Sequence, residues 1–176
     1  MNDLFLTNYT EISFLDKIKD SLRKCESFSF SVSFIKKAGL VLLEREIKEA
    51  LDRGVKGRII TSTYQNFTDI NSLRVFLKWM SEYENFECHL DFECFGDDGF
   101  HSKGYLFEYD NSVEFILGST NITRFALLKN IEWDLVVNCG KDSDVYCNAL
   151  REFEYLWSST LELSSERISI YSSKIS

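Results

Sequence analysis

The chain has 176 residues, a length that suits one ordinary domain with a substantial core. Hydrophobic residues make up 44% and charged residues 27%, a globular profile, and no segment approaches the 18 consecutive apolar residues of a membrane-spanning helix. The net charge of −8 disfavours a free-standing DNA-binding protein with a broad basic surface, although it is compatible with a small basic cleft on an acidic body.

The first residues, Met-Asn-Asp-Leu, lack the basic start and long apolar run of a secretory signal, so we expect a cytoplasmic protein that is not associated with a membrane. Five cysteines without a CxxC pair favour reduced thiols in the core. A zinc site needs closely spaced cysteine or histidine pairs, and the chain has only two histidines, so we expect no metal.

Hydrophobic periodicity predicts alternating helices and strands in the first half of the chain. A helix is predicted over 9–24 with Thr10 as its cap, and the alternation of Phe and Ser over 28–34 predicts a strand with one small, polar face. A second helix over 39–53 ends at Gly54 and is followed by a strand over 55–61. This order is a βαβ unit, so we expect these two strands to be parallel.

The second half continues the pattern. Predicted in turn are a helix over 68–83, a strand over 86–95, a hairpin of strands 101–109 and 113–121, a strand over 131–138 and a helix over 143–157. We therefore predict an α/β domain over 1–157, with a mixed β-sheet flanked by helices on both faces. Residues 158–176 contain eight serines and no clear period, so they are predicted to be a Ser-rich tail or linker.

The hairpin carries a polar cluster if its loop is the three residues 110–112. In that register Lys103 faces Ser119, and His101 faces Asn121. The same face further along is predicted to be core, formed by Tyr105, Phe107, Phe115 and Leu117. A two-residue loop would break this alignment.

The residue types of this cluster suit phosphate chemistry. An imidazole such as that of His101 can act as a nucleophile or a proton carrier near neutral pH, and the Lys103 ammonium neutralises phosphate charge. Ser119 and Asn121 can donate hydrogen bonds to phosphoryl oxygens, while Gly118 would let a ligand approach the backbone closely.

His101-Ser102-Lys103 and Gly118-Ser119-Thr120-Asn121 together resemble the H-x-K…G-S-x-N signature of the phospholipase D superfamily. Asn130-Ile131-Glu132-Trp133 is similar to the N-x-E-W segment of the phospholipase D-like nuclease domains fused to bacterial helicases and restriction enzymes. Further similarity to that subgroup covers about residues 10–157. One departure is Glu108, which stands where the superfamily has an aspartate.

The resemblance implies a mechanism without a metal or cofactor. His101 would attack phosphorus and form a phosphohistidine, Lys103, Ser119 and Asn121 would hold the phosphoryl oxygens, and Glu132 would orient or polarise the histidine. Superfamily enzymes use two H-x-K motifs per site, and this chain has one. We therefore expect a homodimer in which two copies complete one site, and we interpret His89 as a strand histidine outside it.

Four further residues are expected near the substrate. Ser62, Thr63 and Tyr64 follow a predicted strand, where α/β sheets commonly place ligand sites, and the resemblance makes them a wall of the cleft. Arg124 is a candidate phosphate contact. Each has a plainer interpretation, as a polar turn or a solvated surface charge.

The resemblance implies a metal-independent nuclease that acts on nucleic acid, with DNA expected, in a restriction, repair or helicase-linked system. The chain would then work beside a helicase or another domain of a larger protein. The main alternative is an inactive module that binds DNA or a protein, which the charge of −8 and Glu108 favour. A lipid phosphodiesterase is a third alternative, and it should have an apolar funnel beside the site.

Overall fold

An eight-stranded mixed sheet organises the computed structural model, which describes residues 3–96 and 99–175. The strands are β1 (Leu4–Leu6), β2 (Ser27–Val32), β3 (Lys56–Ser62), β4 (Phe86–Asp91), β5 (Lys103–Glu108), β6 (Val113–Gly118), β7 (Asp134–Cys139) and β8 (Leu161–Glu162). The helices are α1 (Phe14–Lys24), α2 (Lys37–Leu40), α3 (Glu44–Asp52), α4 (Ile70–Glu82), α5 (Arg124–Leu128), α6 (Asp144–Ser159) and α7 (Ser165–Lys174), and a 3₁₀ turn covers Tyr64–Asn66.

The strand order β1-β7-β6-β5-β2-β3-β4-β8 confirms the predicted mixed sheet. β2, β3 and β4 run parallel, and every other pairing is antiparallel. The predicted βαβ unit is therefore correct, because β2 and β3 are parallel neighbours joined through α2 and α3.

The two faces of the sheet are packed unequally, and β2 shows why. Phe28 and Phe30 are fully buried in the main core, together with α1, α3, α4 and α7. Ser29 and Ser31 point to the other face, which α6 covers. Because serines fill little space, a cavity of about 260 Å³ remains between the sheet and α6. Helices thus lie on both faces, as predicted.

The hairpin register differs from the prediction by one residue. Glu108 pairs with Val113, and the Tyr109 amide donates to the Ser112 carbonyl oxygen, so the loop consists of residues 110 and 111. Tyr105 and Phe107 face the main core as expected. The prediction that Phe115 and Leu117 share their face is wrong, since Phe115 packs under α6 and Leu117 is exposed.

Helix boundaries near the N-terminus also differ from the prediction. Ser13, rather than Thr10, caps α1 in a reciprocal capping box with Asp16, and the Thr10 hydroxyl instead stabilises the preceding turn. The predicted helix over 39–53 is two helices, α2 and α3, separated by a turn at residues 41–43. Strands β1 and β8 and helices α5 and α7 were not predicted.

The Ser-rich segment is not an unstructured tail where the structure describes it. β8 pairs with β4, and α7 packs on α4. Tyr171 is almost fully buried and donates a hydrogen bond from its hydroxyl to the Thr68 carbonyl oxygen at 2.8 Å, and Leu163 and Ile168 are buried beside it. The physical reason is that these few apolar side chains provide enough burial to order a segment whose serines obscure its period.

The structure also bears on the predicted core thiols and on membrane-spanning helices. Of the five cysteines, Cys25 and Cys88 are buried and Cys139 is partly buried against the core beneath α6, so the expectation of core thiols is wrong for the exposed Cys94 and Cys147. Within residues 3–96 and 99–175, no helix is both long and apolar enough to cross a membrane.

Candidate active site

The polar residues of the candidate site meet at one end of the sheet. β2 ends and β5 begins there, since Val32 pairs with Lys103. β6 ends and β7 begins at the same level, since Gly118 pairs with Asp134. His101 just before β5, Ser119 just after β6 and the residues before β7 therefore lie at neighbouring strand ends.

His101 and Lys103 form the centre of the cluster. The Lys103 ammonium donates to His101 Nδ1 at 2.7 Å and to the His101 carbonyl oxygen at 2.7 Å, and it lies 3.4 Å from Ser33 Oγ. Because an ammonium can only donate, Nδ1 is the acceptor. The imidazole of His101 is exposed, and it packs edge-on against the Phe34 ring with centroids 5.4 Å apart.

The Lys103 ammonium also has a perturbed pKa. Partial burial disfavours its charged form and lowers its pKa from the ordinary value, and the nearby Glu132 carboxylate partly offsets this effect. Glu132 is therefore close enough to Lys103 for its negative charge to favour the charged ammonium.

The Ser119 hydroxyl is hydrogen-bonded to Glu132 of the same chain. The Ser119 hydroxyl donates to one Glu132 oxygen at 2.5 Å, and Asn130 Nδ2 donates to the other at 3.1 Å. Ser119 Oγ in turn accepts from the Trp133 amide at 3.1 Å. The hydroxyl must therefore rotate away from Glu132 before it can donate to a phosphate. Within the part of the chain that the structure describes, the His101 ring has Lys103 as its hydrogen-bond partner and no hydrogen bond with Glu132. Orientation of His101 by Glu132 therefore stays a prediction.

Asn121 is fixed with its amide nitrogen available. Its Oδ1 accepts from the Phe34 amide at 3.2 Å, and its Nδ2 donates no hydrogen bond to any of the residues that the structure describes. The two N–H groups of Asn121 can therefore donate to a bound oxyanion.

Gly118 is required by the neighbouring strand. A Cβ on Gly118 would lie 2.2 Å from the Trp133 carbonyl oxygen and 2.3 Å from Asp134 Oδ1. The absence of a side chain at Gly118 thus lets the backbone at Trp133 and Asp134 come close, and this contact holds Ser119 against the start of β7.

The predicted wall formed by Ser62, Thr63 and Tyr64 is only partly available. The Ser62 hydroxyl is fully buried and donates to Asp91 Oδ2 at 2.8 Å, and the buried Thr63 hydroxyl donates to the Asp91 carbonyl oxygen. These two hydroxyls bind Asp91 in the turn after β3, and Thr63 also borders a cavity together with Tyr64. Substrate contact by Ser62 and Thr63 stays a prediction. Tyr64 is 36% exposed and lines a separate cavity of about 260 Å³.

Arg124 is exposed at the first position of α5, where the Thr123 hydroxyl caps the helix. Among the described residues, no hydrogen bond or ion pair joins Arg124 to the His101 cluster. Its contact with phosphate stays a prediction.

Residues after β2 were missed as site residues by reasoning from sequence patterns. Ser33 donates to the Ser102 carbonyl oxygen at 2.8 Å and contacts Lys103, while Phe34 contacts the His101 ring. The signal was present, because both residues lie at the carboxyl end of a strand predicted to be parallel. The expectation that ligand sites lie at the carboxyl ends of parallel strands was applied only to residues 62–64, at the end of β3.

The second histidine lies elsewhere. His89 is in β4, its ring stacks on Trp157 with centroids 3.7 Å apart, and its Nδ1 lies 3.0 Å from the Trp157 carbonyl oxygen. Burial lowers its pKa. This confirms the interpretation of His89 as a strand histidine.

An apolar cavity adjoins His101. It has a volume of about 230 Å³ and is lined by His101, Ser102, Phe100, Tyr155 and Leu156, among others. Ser102 and Leu156 also line the cavity beneath α6. The site therefore opens toward an apolar groove between the sheet and α6.

Comparison with known proteins identifies the fold and the family. The sequence model of the family described as cardiolipin synthase, PLD-like domain, matches residues 17–157. The chain belongs to the PLD-like domain family. No curated protein sequence matches this PLD-like domain significantly.

Solved structures share the fold of this PLD-like domain. NucT from Helicobacter pylori is 18% identical, with a TM-score of 0.69 over 92% of this chain and 98% of NucT. A phospholipase D family member, Nuc from Salmonella typhimurium, is 18% identical, with a TM-score of 0.70 over 93% and 99%. The archaeal chromatin protein TrmBL2 is 18% identical, with a TM-score of 0.58 over 92% of this chain and 54% of TrmBL2.

The contact of Gly118 with β7 generates a prediction. Gly118→Ala should lower the free energy of unfolding by about 1–3 kcal/mol, because the added methyl group meets backbone rather than a mobile side chain. Gly104→Ala is the matched control, since its Cβ would meet only Leu117 Cδ2 at 3.4 Å, and it should change stability by less than about 0.5 kcal/mol. Urea unfolding measures both variants, and equal effects would contradict this account of Gly118.

Proposed function

We propose that this PLD-like domain is a metal-independent phosphodiesterase that cleaves nucleic acid, with DNA as the expected substrate. The observation that carries the proposal is the exposed His101 imidazole held by the Lys103 ammonium at 2.7 Å, at the strand ends that also present Ser119 and Asn121. A nucleophile beside a fixed positive charge and amide donors suits the charge that develops on phosphorus oxygens.

In the proposed first step, a nitrogen of His101 forms a bond to phosphorus while the bond from phosphorus to the leaving oxygen breaks. Lys103 and Asn121 neutralise and hydrogen-bond the non-bridging oxygens, and Ser119 does so once its hydroxyl leaves Glu132. The leaving alkoxide takes a proton from a second imidazole. That imidazole then removes a proton from water, which attacks phosphorus and releases His101.

The second imidazole would come from a second copy of the chain. A row of apolar side chains crosses β1, β7 and β6 in register, formed by Phe5 (54% exposed), Leu135 (47%) and Leu117 (45%). Trp133, 66% exposed, packs edge-on against Phe5 at 5.5 Å. This apolar row adjoins Glu132 and Ser119, so a copy docked here would cover apolar surface beside the incomplete site.

Two alternatives have specific support. An inactive binding module is favoured by the net charge of −8 and by the fold shared with TrmBL2, whose structure shows a mode of DNA binding. A lipid phosphodiesterase is favoured by the apolar groove that adjoins His101, which is the funnel such an enzyme should have. A role in a restriction, repair or helicase-linked system rests only on the resemblance to the helicase-fused subgroup, which residues 130–133 and further similarity over about residues 10–157 carry.

Hydrolysis in EDTA tests the proposed activity. The wild type should cleave bis(p-nitrophenyl) phosphate and DNA in EDTA, and His101→Ala should reduce the rate by about 10³-fold or more, because the nucleophile is lost. His89→Gln is the matched control, since it removes the other histidine and should leave the rate unchanged.

The same assay separates the alternatives. Activity that EDTA abolishes, or that survives in His101→Ala, contradicts the proposal. Hydrolysis of phospholipid vesicles with no cleavage of single- or double-stranded DNA would favour the lipid enzyme. A folded dimer inactive on every substrate would favour the binding module.

Light scattering after size exclusion tests the second copy. The wild type should have about twice the chain mass of 20.6 kDa, and Leu135→Glu should be monomeric and inactive with His101 intact, because a charge is placed in the apolar row. Ile170→Glu, on the exposed side of α7, should remain dimeric and active. A wild type that is monomeric at high concentration yet active would exclude the shared site.

A further inference from the structure

A fully buried threonine lies between two residues of the proposed site. Ser119 is exposed and Asn121 is half-buried, while Thr120 between them has no exposed surface. The resemblance to the G-S-x-N motif assigns no role to this position. Its surroundings are nevertheless more polar than those of an ordinary core residue.

All three polar groups of Thr120 are bound by two side chains. The hydroxyl donates to Asp134 Oδ2 at 2.6 Å, and the amide N–H donates to Asp134 Oδ1 at 3.3 Å. The carbonyl oxygen accepts from the Tyr105 hydroxyl at 2.7 Å. Thr120 is thereby held in both position and orientation, and the backbone on either side of it is held as well.

The same contacts join the three segments that carry the site. Tyr105 lies two residues after Lys103 on β5, and Asp134 begins β7 two residues after Glu132. Thr120 itself belongs to the segment of Ser119 and Asn121. Gly118 provides the space in which the Asp134 carboxylate fits.

Burying the Asp134 carboxylate beside Thr120 carries a cost in the free energy of folding. Asp134 is almost fully buried, and burial raises the pKa of its carboxyl group, although hydrogen bonds from Thr120 oppose that shift. A buried carboxylate is generally less favourable than apolar packing of similar volume, so its value lies in the geometry that it fixes.

We propose that Asp134 and Tyr105 are positioning residues, acting through Thr120 to hold Ser119 and Asn121 at the correct distance from Lys103. The inference rests on the proposed phosphodiesterase function. Removing the Thr120 hydroxyl breaks its hydrogen bond to Asp134 and changes no side chain that is proposed to contact substrate.

Thr120→Val, which keeps the shape and removes the hydroxyl, tests the inference. We expect its kcat for bis(p-nitrophenyl) phosphate to fall about tenfold to a hundredfold, with KM changed by less than about threefold, because misplaced donors weaken transition-state binding most. Thr120→Ser restores the hydroxyl and should restore kcat to within about threefold of the wild type.

Ser21→Ala is the matched control for stability. The buried Ser21 hydroxyl donates to the buried carboxylate of Glu114, a similar pair located on α1 and β6 outside the site. This variant should lose stability as Thr120→Val does but keep the wild-type kcat. If Thr120→Val does not fold, Tyr105→Phe, which removes only the hydroxyl bound to Thr120, should show the same selective loss of kcat.

A second measurement separates failure of this inference from failure of the proposed function. If the wild type shows no hydrolysis that depends on His101, the proposed function fails, and the affinity for inorganic phosphate tests the positioning alone. Thr120→Val should then weaken phosphate binding about tenfold relative to Ser21→Ala, because the phosphate dianion, like the transition state, carries more negative charge on its oxygens than the bound diester. A folded Thr120→Val with wild-type kcat and phosphate affinity overturns the inference, and a wild type without hydrolysis or phosphate binding overturns both.

Discussion

The close approach of β6 and β7 beyond Gly118 is the constraint on which the site depends. Only a residue without a Cβ fits between the Trp133 carbonyl oxygen and Asp134. That approach lets the Ser119 amide donate to the Trp133 carbonyl oxygen at 3.1 Å and brings the Ser119 hydroxyl to Glu132. The position of Ser119, a proposed phosphate donor, thus depends on the contact between two paired strands rather than on a flexible loop.

The unequal packing of the sheet determines what surrounds this site. Helices α1 to α5 and α7 contribute buried side chains to the main core on one face of the sheet. On the opposite face α6 covers the serine side of β2, and a groove reaches from there to His101. At the edge of the sheet, the apolar row of Phe5, Leu135 and Leu117 remains exposed beside Ser119. The proposed catalytic, substrate-binding and dimer surfaces therefore meet at one end of the molecule.

Strands β2 to β7 and the position of the H-x-K motif at a strand end could be predicted from the sequence, but several details could not. The register was wrong because Asp110, Asn111 and Ser112 are all turn residues, so composition did not distinguish a two-residue loop from a three-residue loop. The cluster nevertheless formed, since Ser119 and Asn121 lie beyond the paired part of β6, where register no longer decides their direction. The contacts of Ser62 and Thr63 with Asp91 could not be predicted, because the polarity of a side chain does not reveal which group its hydroxyl binds. The α7 helix was missed because serines obscured the spacing of Ile168 and Tyr171.

In the proposed mechanism His101 becomes covalently bound to phosphorus. The most direct test is to quench the wild-type reaction with a DNA oligonucleotide within the first turnovers, at mildly alkaline pH with EDTA present, and to analyse the protein by mass spectrometry. We expect a transient adduct with the mass of one cleavage fragment, on the peptide that contains His101 and joined to that residue. DNA cleavage without such an adduct, or with an adduct on another residue, would rule out His101 as the nucleophile.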